Sequence, residues 1–262
     1  MNPAHNPILA QVHADVWHAN TLATAPAQVL PTGDAALDAQ LPGGGWPVGA
    51  LSEILQPAGV YSEWRLLLPA LAHSGSGAVV LVGPPQPPFG PALAAQGLHP
   101  GRLLWVATAL PAQRLWAAEQ ALRCADVDAV LAWLPQARAD QLRRLQMAAA
   151  SFNKLLWVLR PEQVQHDSSP AVLRVWVVPV GVPVADASMA DGLALRVLKR
   201  RGPPLAQALH LHARSPVLAR LLAASQCEPA LPWLQHERQV QPPVQGQEQE
   251  HTHALDCLTA HA

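Results

Sequence analysis

Short, continuously apolar runs alternate with stretches of helical periodicity along most of this chain. Candidate strands fall at Leu51–Leu55, Ala78–Val82, Leu103–Ala107, Ala129–Trp133, Leu155–Leu159, Ala171–Val178 and Leu193–Leu198. Between the earlier ones, helices are expected at Glu63–His73, Pro91–Gln96, Ala112–Cys124 and Arg138–Phe152. Strands that lack polar alternation are buried on both faces, as in a parallel sheet covered by helices. The order predicts a three-layer α/β domain with a mostly parallel sheet. The last two strands follow one another without a helix, which predicts an antiparallel hairpin at the sheet edge. Trp105, Trp133, Trp157 and Trp176 sit in apolar runs and read as sheet packing. Trp46, set beside glycines and a proline, is expected to be partly exposed.

The pattern fades at both ends. Residues 1–25 read as a loosely held arm, 26–202 as the α/β core and 203–262 as a tail. Pro203 and Pro204 stop the last strand, Ser215–Ser225 has the pattern of one short helix, and Glu237–Glu250 is rich in Gln, Glu and Pro, a disordered composition.

Composition narrows the function classes. A net charge of -1 gives no global attraction to nucleic acid or anionic membrane, so a DNA contact would need a local patch or a partner. With only 13% charged residues the surface is suited to being covered. Cys124, Cys227 and Cys257 form no C-x-x-C, which argues against a zinc ribbon or a disulfide framework. The first residues lack a basic-then-apolar leader, and the apolar runs are far shorter than the roughly 20 residues of a membrane span. The expectation is a cytoplasmic protein. His210 with His212, and His251 and His253 with Cys257, read better as exposed histidines than as a metal site, and no Ser/His/Asp arrangement supports a hydrolase. Arg138, Arg143 and Arg144 read as a solvated helix face.

The chemically telling segment follows the Gly-rich turn Gly43–Gly49 and the strand after it. A phosphate-binding loop reads G-x-x-x-x-G-K-[ST]; its backbone N–H groups cradle phosphates, its lysine meets the β/γ-phosphates and its hydroxyl holds magnesium. Here the segment is Gln56-Pro57-Ala58-Gly59-Val60-Tyr61-Ser62-Glu63. Ser62 stands where the lysine belongs, and Glu63, whose carboxylate would repel phosphates, stands where the hydroxyl belongs.

From Val29–Asp38 through the Gly-rich turn, Val127–Ala132 and Ala171–Val175 to Arg196–Arg201, the chain resembles the RecA ATPase core over roughly residues 28 to 202. The resemblance implies a RecA-like P-loop NTPase fold with a degenerate nucleotide site. Trp133 stands at the Walker B acid, the catalytic glutamate would fall near Pro85-Gln86, and the γ-phosphate-sensing glutamine near Arg160-Pro161. Phosphoryl transfer depends on such positioned groups. Loss of the lysine, both acids and the sensor together implies a pseudo-ATPase with no cofactor and no catalytic residue. Only Pro161–Pro170 stands where recombinases carry a DNA-binding loop.

Leu30–Gly33, Leu41–Glu53 and Leu193–Arg201 are most similar to the ImuA family of SOS-response translesion-synthesis accessory proteins. Gln113–Cys124 and Ala129–Pro135 also resemble the SulA family of cell-division inhibitors acting on FtsZ, which are shorter and lack the Gly-rich approach. Membership of the ImuA family implies two partners, an ImuB-like Y-family polymerase relative and an error-prone C-family DNA polymerase, with RecA a third candidate. Lys199 and Arg201 match basic residues that reach a neighbouring subunit in recombinase filaments, which makes them candidate partner contacts. Leu218, Leu221, Leu222 and Trp233 are apolar positions with no evident place in the sheet, and a segment over Leu205–Gln235 could fold on a partner. A RecA-like DNA-dependent ATPase is the remaining alternative.

Overall fold

The computed structural model describes residues 28–179, 192–202, 205 and 207–211. The candidate contacts Leu218, Leu221, Leu222 and Trp233 lie outside the described residues, as does the helix expected at Ser215–Ser225.

A small antiparallel pair opens the fold. β1 (Val29–Leu30) lies against β2 (Trp46–Pro47), with Leu30 opposite Trp46. Between them Asp34 caps the short helix α1 (Ala35–Asp38), its carboxylate accepting from the N–H groups of Ala36 at 2.9 Å and Leu37 at 3.0 Å. Asp38 in turn accepts from the Thr32 N–H at 2.8 Å. The Thr32-Gly33-Asp34 stretch therefore works as a helix start, where a short acceptor satisfies donors that the first turn leaves orphaned.

The main sheet has eight strands among the described residues: β3 (Ala50–Gln56), β4 (Ala78–Val82), β5 (Leu103–Val106), β6 (Val127–Trp133), β7 (Leu155–Pro161), β8 (Leu173–Pro179), β9 (Leu193–Lys199) and β10 (Leu209–Leu211). Their order is β10-β9-β8-β3-β7-β6-β4-β5. Strands β3 to β8 pair in parallel, and β9 and β10 run antiparallel to their neighbours. Helices α2 (Glu63–Ala72), α3 (Gly90–Ala95), α4 (Pro111–Arg123) and α5 (Ala139–Phe152) complete an α/β architecture with a mostly parallel mixed sheet. The alternation read from the sequence located these elements to within two residues at most ends.

Each face of the sheet has its own core. Ile54, Leu131, Trp157 and Val175 share one with Leu67 and Leu71 of α2; Leu51, Val80, Val130 and Leu156 share the other with Leu122 of α4 and Leu142 and Leu145 of α5. Burial on both faces explains why β3, β4, β6 and β7 are apolar nearly throughout.

Three expectations are corrected. The β8–β9 hairpin is not the sheet edge, because β10, a strand beyond Gly202, pairs with β9. Trp46 is fully buried and meets Trp157 edge-on, with ring centroids 5.9 Å apart; the glycines around it let backbone pass close rather than open the site to water. Trp105 is 45% exposed, since its strand ends the sheet.

Gly45 is the tightest of those passages. A Cβ there would lie 2.3 Å from the Leu30 carbonyl oxygen, backbone that cannot swing away as a side chain can. Gly45→Ala is expected to push β1 off β2 and cost about 1–3 kcal/mol, the usual scale of overpacking, read as a lower urea midpoint with an unchanged slope.

Candidate functional site

In an open, mostly parallel sheet, ligands bind beyond the carboxyl ends of the strands, where the chain order reverses. Here that point is β3, which is flanked by β7 and β8 while its own continuation, β4, lies beyond β6. The segment that follows β3 is Gln56–Glu63, the one that sequence reading aligned with a phosphate loop.

Gln56 closes this loop on itself. Its side-chain oxygen accepts the Ser62 N–H at 3.0 Å, and its amide nitrogen donates to the Glu63 carboxylate at 3.2 Å. Gln56, Ser62 and Glu63 are buried, while Ala58, Gly59 and Tyr61 are exposed. Gly59 turns the loop with φ of +77°, and Val60 donates to the Pro57 carbonyl at 3.2 Å. Ser62 precedes α2 without bonding its side chain to the helix. A backbone donor that a phosphate would use is thus spent on a side chain from within. Glu63 brings a carboxylate to the helix N-terminus, the position that otherwise attracts an anion. Burial pushes the Glu63 carboxyl above its ordinary 4.5, against the lowering effect of its backbone hydrogen bond and of Gln56.

One turn of the pleat earlier, Glu53 is fully buried. Its two carboxylate oxygens each take an arginine: Arg160 of β7 at 2.7 Å and Arg174 of β8 at 2.5 Å. The pairing register makes this possible, because Arg174 stands directly beside Glu53 and Arg160 beside Leu55. Arg160 also donates to the Ala137 carbonyl at 2.8 Å. Arg174 donates to the carbonyls of Val164, Gln165 and Asp167 at 2.9, 3.1 and 3.0 Å. Those three residues belong to the connection between β7 and β8, so Arg174 fixes that connection to the strands. Around Glu53 the site is a buried ion-pair cluster in which both carboxylate oxygens are taken and only the Arg160 Nε is left without a partner.

The other positions singled out in the sequence are dispersed. Trp133 is buried at the end of β6, and its carbonyl accepts from Arg114 at 3.3 Å. Arg114 also donates to the Thr108 carbonyl at 2.8 Å and lies against Gly83, fastening the ends of three strands. Pro85 and Gln86 are exposed. Lys199 donates to the Ser169 carbonyl at 2.9 Å. Arg201 is exposed and helps line a cavity of about 230 Å³ with Gly45, Val48, Gln146, Leu173 and Arg200. That cavity adjoins Ala50, the first residue of β3, so Arg201 lies at the end of the strand opposite Gln56. A second cavity of about 300 Å³ lies between the starts of α4 and α5 and includes Arg114, Leu134, Arg138 and Gln141. Neither contains a residue of the loop Gln56–Glu63. Among the described residues no group of histidine, cysteine and acidic side chains could hold a metal ion, and no helix is long and apolar enough to cross a membrane.

Sequence reading missed the Glu53 cluster. The signal was available: one acid in β3, and one arginine in each of β7 and β8, amid otherwise apolar strands.

Breaking a buried ion pair leaves an uncompensated charge and costs about 3–5 kcal/mol. Glu53→Gln, which strands two arginines, is expected to lose at least that much in urea unfolding, and Arg174→Met somewhat less because Arg160 remains on the carboxylate. Glu63 gives a pH test. Its folded state holds the proton to higher pH than the unfolded chain, so its contribution to stability is greatest below about 4.5 and is lost as pH rises through the raised folded value. The stability difference between wild type and Glu63→Gln should shift against wild type across that window, by at most about 1.4 kcal/mol per pH unit. A difference that stays constant with pH would show that Glu63 titrates alike in both states.

No protein-family model matches the chain, and no curated protein matches it at a significant level.

Proposed function

We propose that this chain is a RecA-like protein without nucleotide chemistry, serving as an assembly factor in SOS-induced translesion DNA synthesis. Its partners on this reading are an ImuB-like Y-family polymerase relative and an error-prone C-family DNA polymerase, with RecA as a third. The reading rests on the resemblance of the sequence to the ImuA family and on one structural observation. At the place where a doubly wound sheet holds its ligand, Gln56 has taken the Ser62 N–H and Glu63 has brought a buried carboxylate. Positioned cations are what phosphoryl transfer needs, and the residues here supply an amide and an acid instead.

Nearby arginines do not replace the missing lysine. Arg160 and Arg174 are turned onto Glu53 and backbone carbonyls. A domain of this kind offers its surfaces to other proteins rather than a reaction centre. Lys199 and Arg201 are both exposed, but Lys199 is bonded to the Ser169 carbonyl while Arg201 borders an apolar cavity, so Arg201 is the better placed for a partner contact.

Two measurements test the reading. Calorimetric titration with ATP and magnesium is expected to give no binding heat at micromolar concentrations, and co-expression with an ImuB-like protein is expected to give a complex that survives affinity purification. Micromolar ATP binding, with turnover that a Ser62 substitution abolishes, would restore the ATPase alternative; FtsZ inhibition and filamenting cells on overexpression would favour the SulA alternative.

A further inference from the structure

The cavity at the amino end of β3 has the size and chemistry of a side-chain socket. Val29, Val48, Ala150 and Leu173 give it apolar walls, and Arg201 supplies a charge at its border. Of the polar groups beside it, Arg200 donates to the Gln40 carbonyl, and Gln146 accepts the Leu51 N–H at 2.6 Å. Among the described residues no carboxylate pairs with Arg201. Pockets for small-molecule ligands span about 300–1,000 Å³, whereas about 150 Å³ holds one benzene. The volume here, about 230 Å³, therefore suits one indole or two aliphatic side chains, with an acid beside them for Arg201.

One end of the chain enters the fold at this cavity. The Gln28 carbonyl accepts the Val48 N–H at 2.9 Å, and its side-chain oxygen accepts from Asn153 at 2.7 Å. Residues 1–27 therefore join the fold beside Val29 and Val48, in the cavity wall. The other end leaves from the opposite side of the sheet. Leu211 pairs with Leu193, which pairs with Pro179 at the carboxyl end of β8. Residues 212–262 thus start a strand length away, roughly 20 Å. The composition of residues 1–27 matches the cavity. Asp15 is their only acid and Trp17 their only Phe, Trp or Tyr, with Val16 between them, and no lysine or arginine is present to repel Arg201. Ten residues, 18–27, separate Trp17 from Gln28. Extended, ten residues reach about 35 Å, ample for a return to the rim, and a contact across so short a connection forms at roughly millimolar effective concentration.

We propose that residues 15–17 fold back into this cavity within the same chain. The Trp17 indole lies among Val29, Val48, Ala150 and Leu173, and the Asp15 carboxylate pairs with Arg201. The contact rests on the cavity and on residues 1–27 alone, so it stands independently of the translesion reading. It covers Arg201, and a partner that uses that arginine has to displace the segment first.

Hydrogen exchange of the full chain, read at the amides of residues 14–18, tests the contact. In the wild type these amides are expected to exchange at least tenfold more slowly than in Trp17→Ala, in Arg201→Glu or in Ala150→Trp, which fills the cavity from an exposed position on α5. Asp15→Arg combined with Arg201→Glu is expected to restore the protection that either change alone removes. Exchange across β3 to β8 should be the same in every variant, which separates loss of the contact from loss of the fold. Wild-type amides at 14–18 that exchange as fast as a free peptide of the same sequence overturn the proposal. So does protection that survives both Arg201→Glu and Ala150→Trp, because the segment then lies elsewhere, and so does a charge-reversed pair that stays unprotected. Protection that fades on dilution, together with a dimer in sedimentation velocity, assigns the cavity to residues 15–17 of a second copy and overturns the contact within one chain.

Discussion

Everything at the centre of this sheet is arranged around the carboxylate of Glu53. An isolated charge on a strand buried on both faces would cost more than a domain's whole stability margin. Two arginines, arriving from strands far apart in sequence but adjacent in space, make it tolerable. They in turn bring excess positive charge into the interior. That excess is met by four backbone carbonyls, from Ala137, Val164, Gln165 and Asp167. The cluster thereby joins β3, β7 and β8 and holds the connections that leave β6 and β7. A set of apolar residues of equal volume would stabilise as well or better, but would fasten none of those carbonyls. What the ion pairs supply is position: the ends of the central strands and the loops leaving them are set by directional bonds.

The same logic governs the loop after β3. A phosphate loop is built to leave its N–H groups open and to draw them closed around an anion. Gln56 supplies from inside what the anion would supply from outside, an acceptor for the Ser62 N–H. Glu63 then adds a carboxylate in the first turn of α2. Within the loop, Gln56 thus holds both the Ser62 N–H and the Glu63 carboxylate. On the proposed reading this is how an ancestral nucleotide fold keeps its shape once the nucleotide chemistry has gone: protein contacts take over each bond that the ligand once made.

Element types were legible in the sequence because they depend on local pattern. Continuous apolar runs such as Val79–Val82 and Leu155–Leu159 could only be strands covered on both sides, and helical spacing placed α4 and α5. Strand order was less legible, because it depends on which runs pair. The pattern could not say that β5 would end the sheet, so Trp105 was expected inside; nor that β10 would extend it, so the β8–β9 hairpin was expected at the edge. Trp46 erred in the other direction. Its glycines suggested an open turn, whereas Gly45 is small because the Leu30 backbone lies against it. At the site, sequence gave the identities of Ser62 and Glu63 and therefore the absence of a cation. It could not give the Gln56 bonds or the Glu53 cluster, since both need contacts between residues on different elements.

The two ends of the molecule described here differ in what they offer. The carboxyl end of β3 is consumed by internal bonds, from Gln56 to Ser62 and from Glu53 to its arginines. Its amino end keeps an apolar cavity beside Arg200 and Arg201, and among the described residues β5 has a neighbour on one side only, with Leu104 and Trp105 about half exposed. Buried charged groups need partners, and Glu53 finds its own inside the sheet, whereas Leu104 and Trp105 stay about half exposed among the described residues.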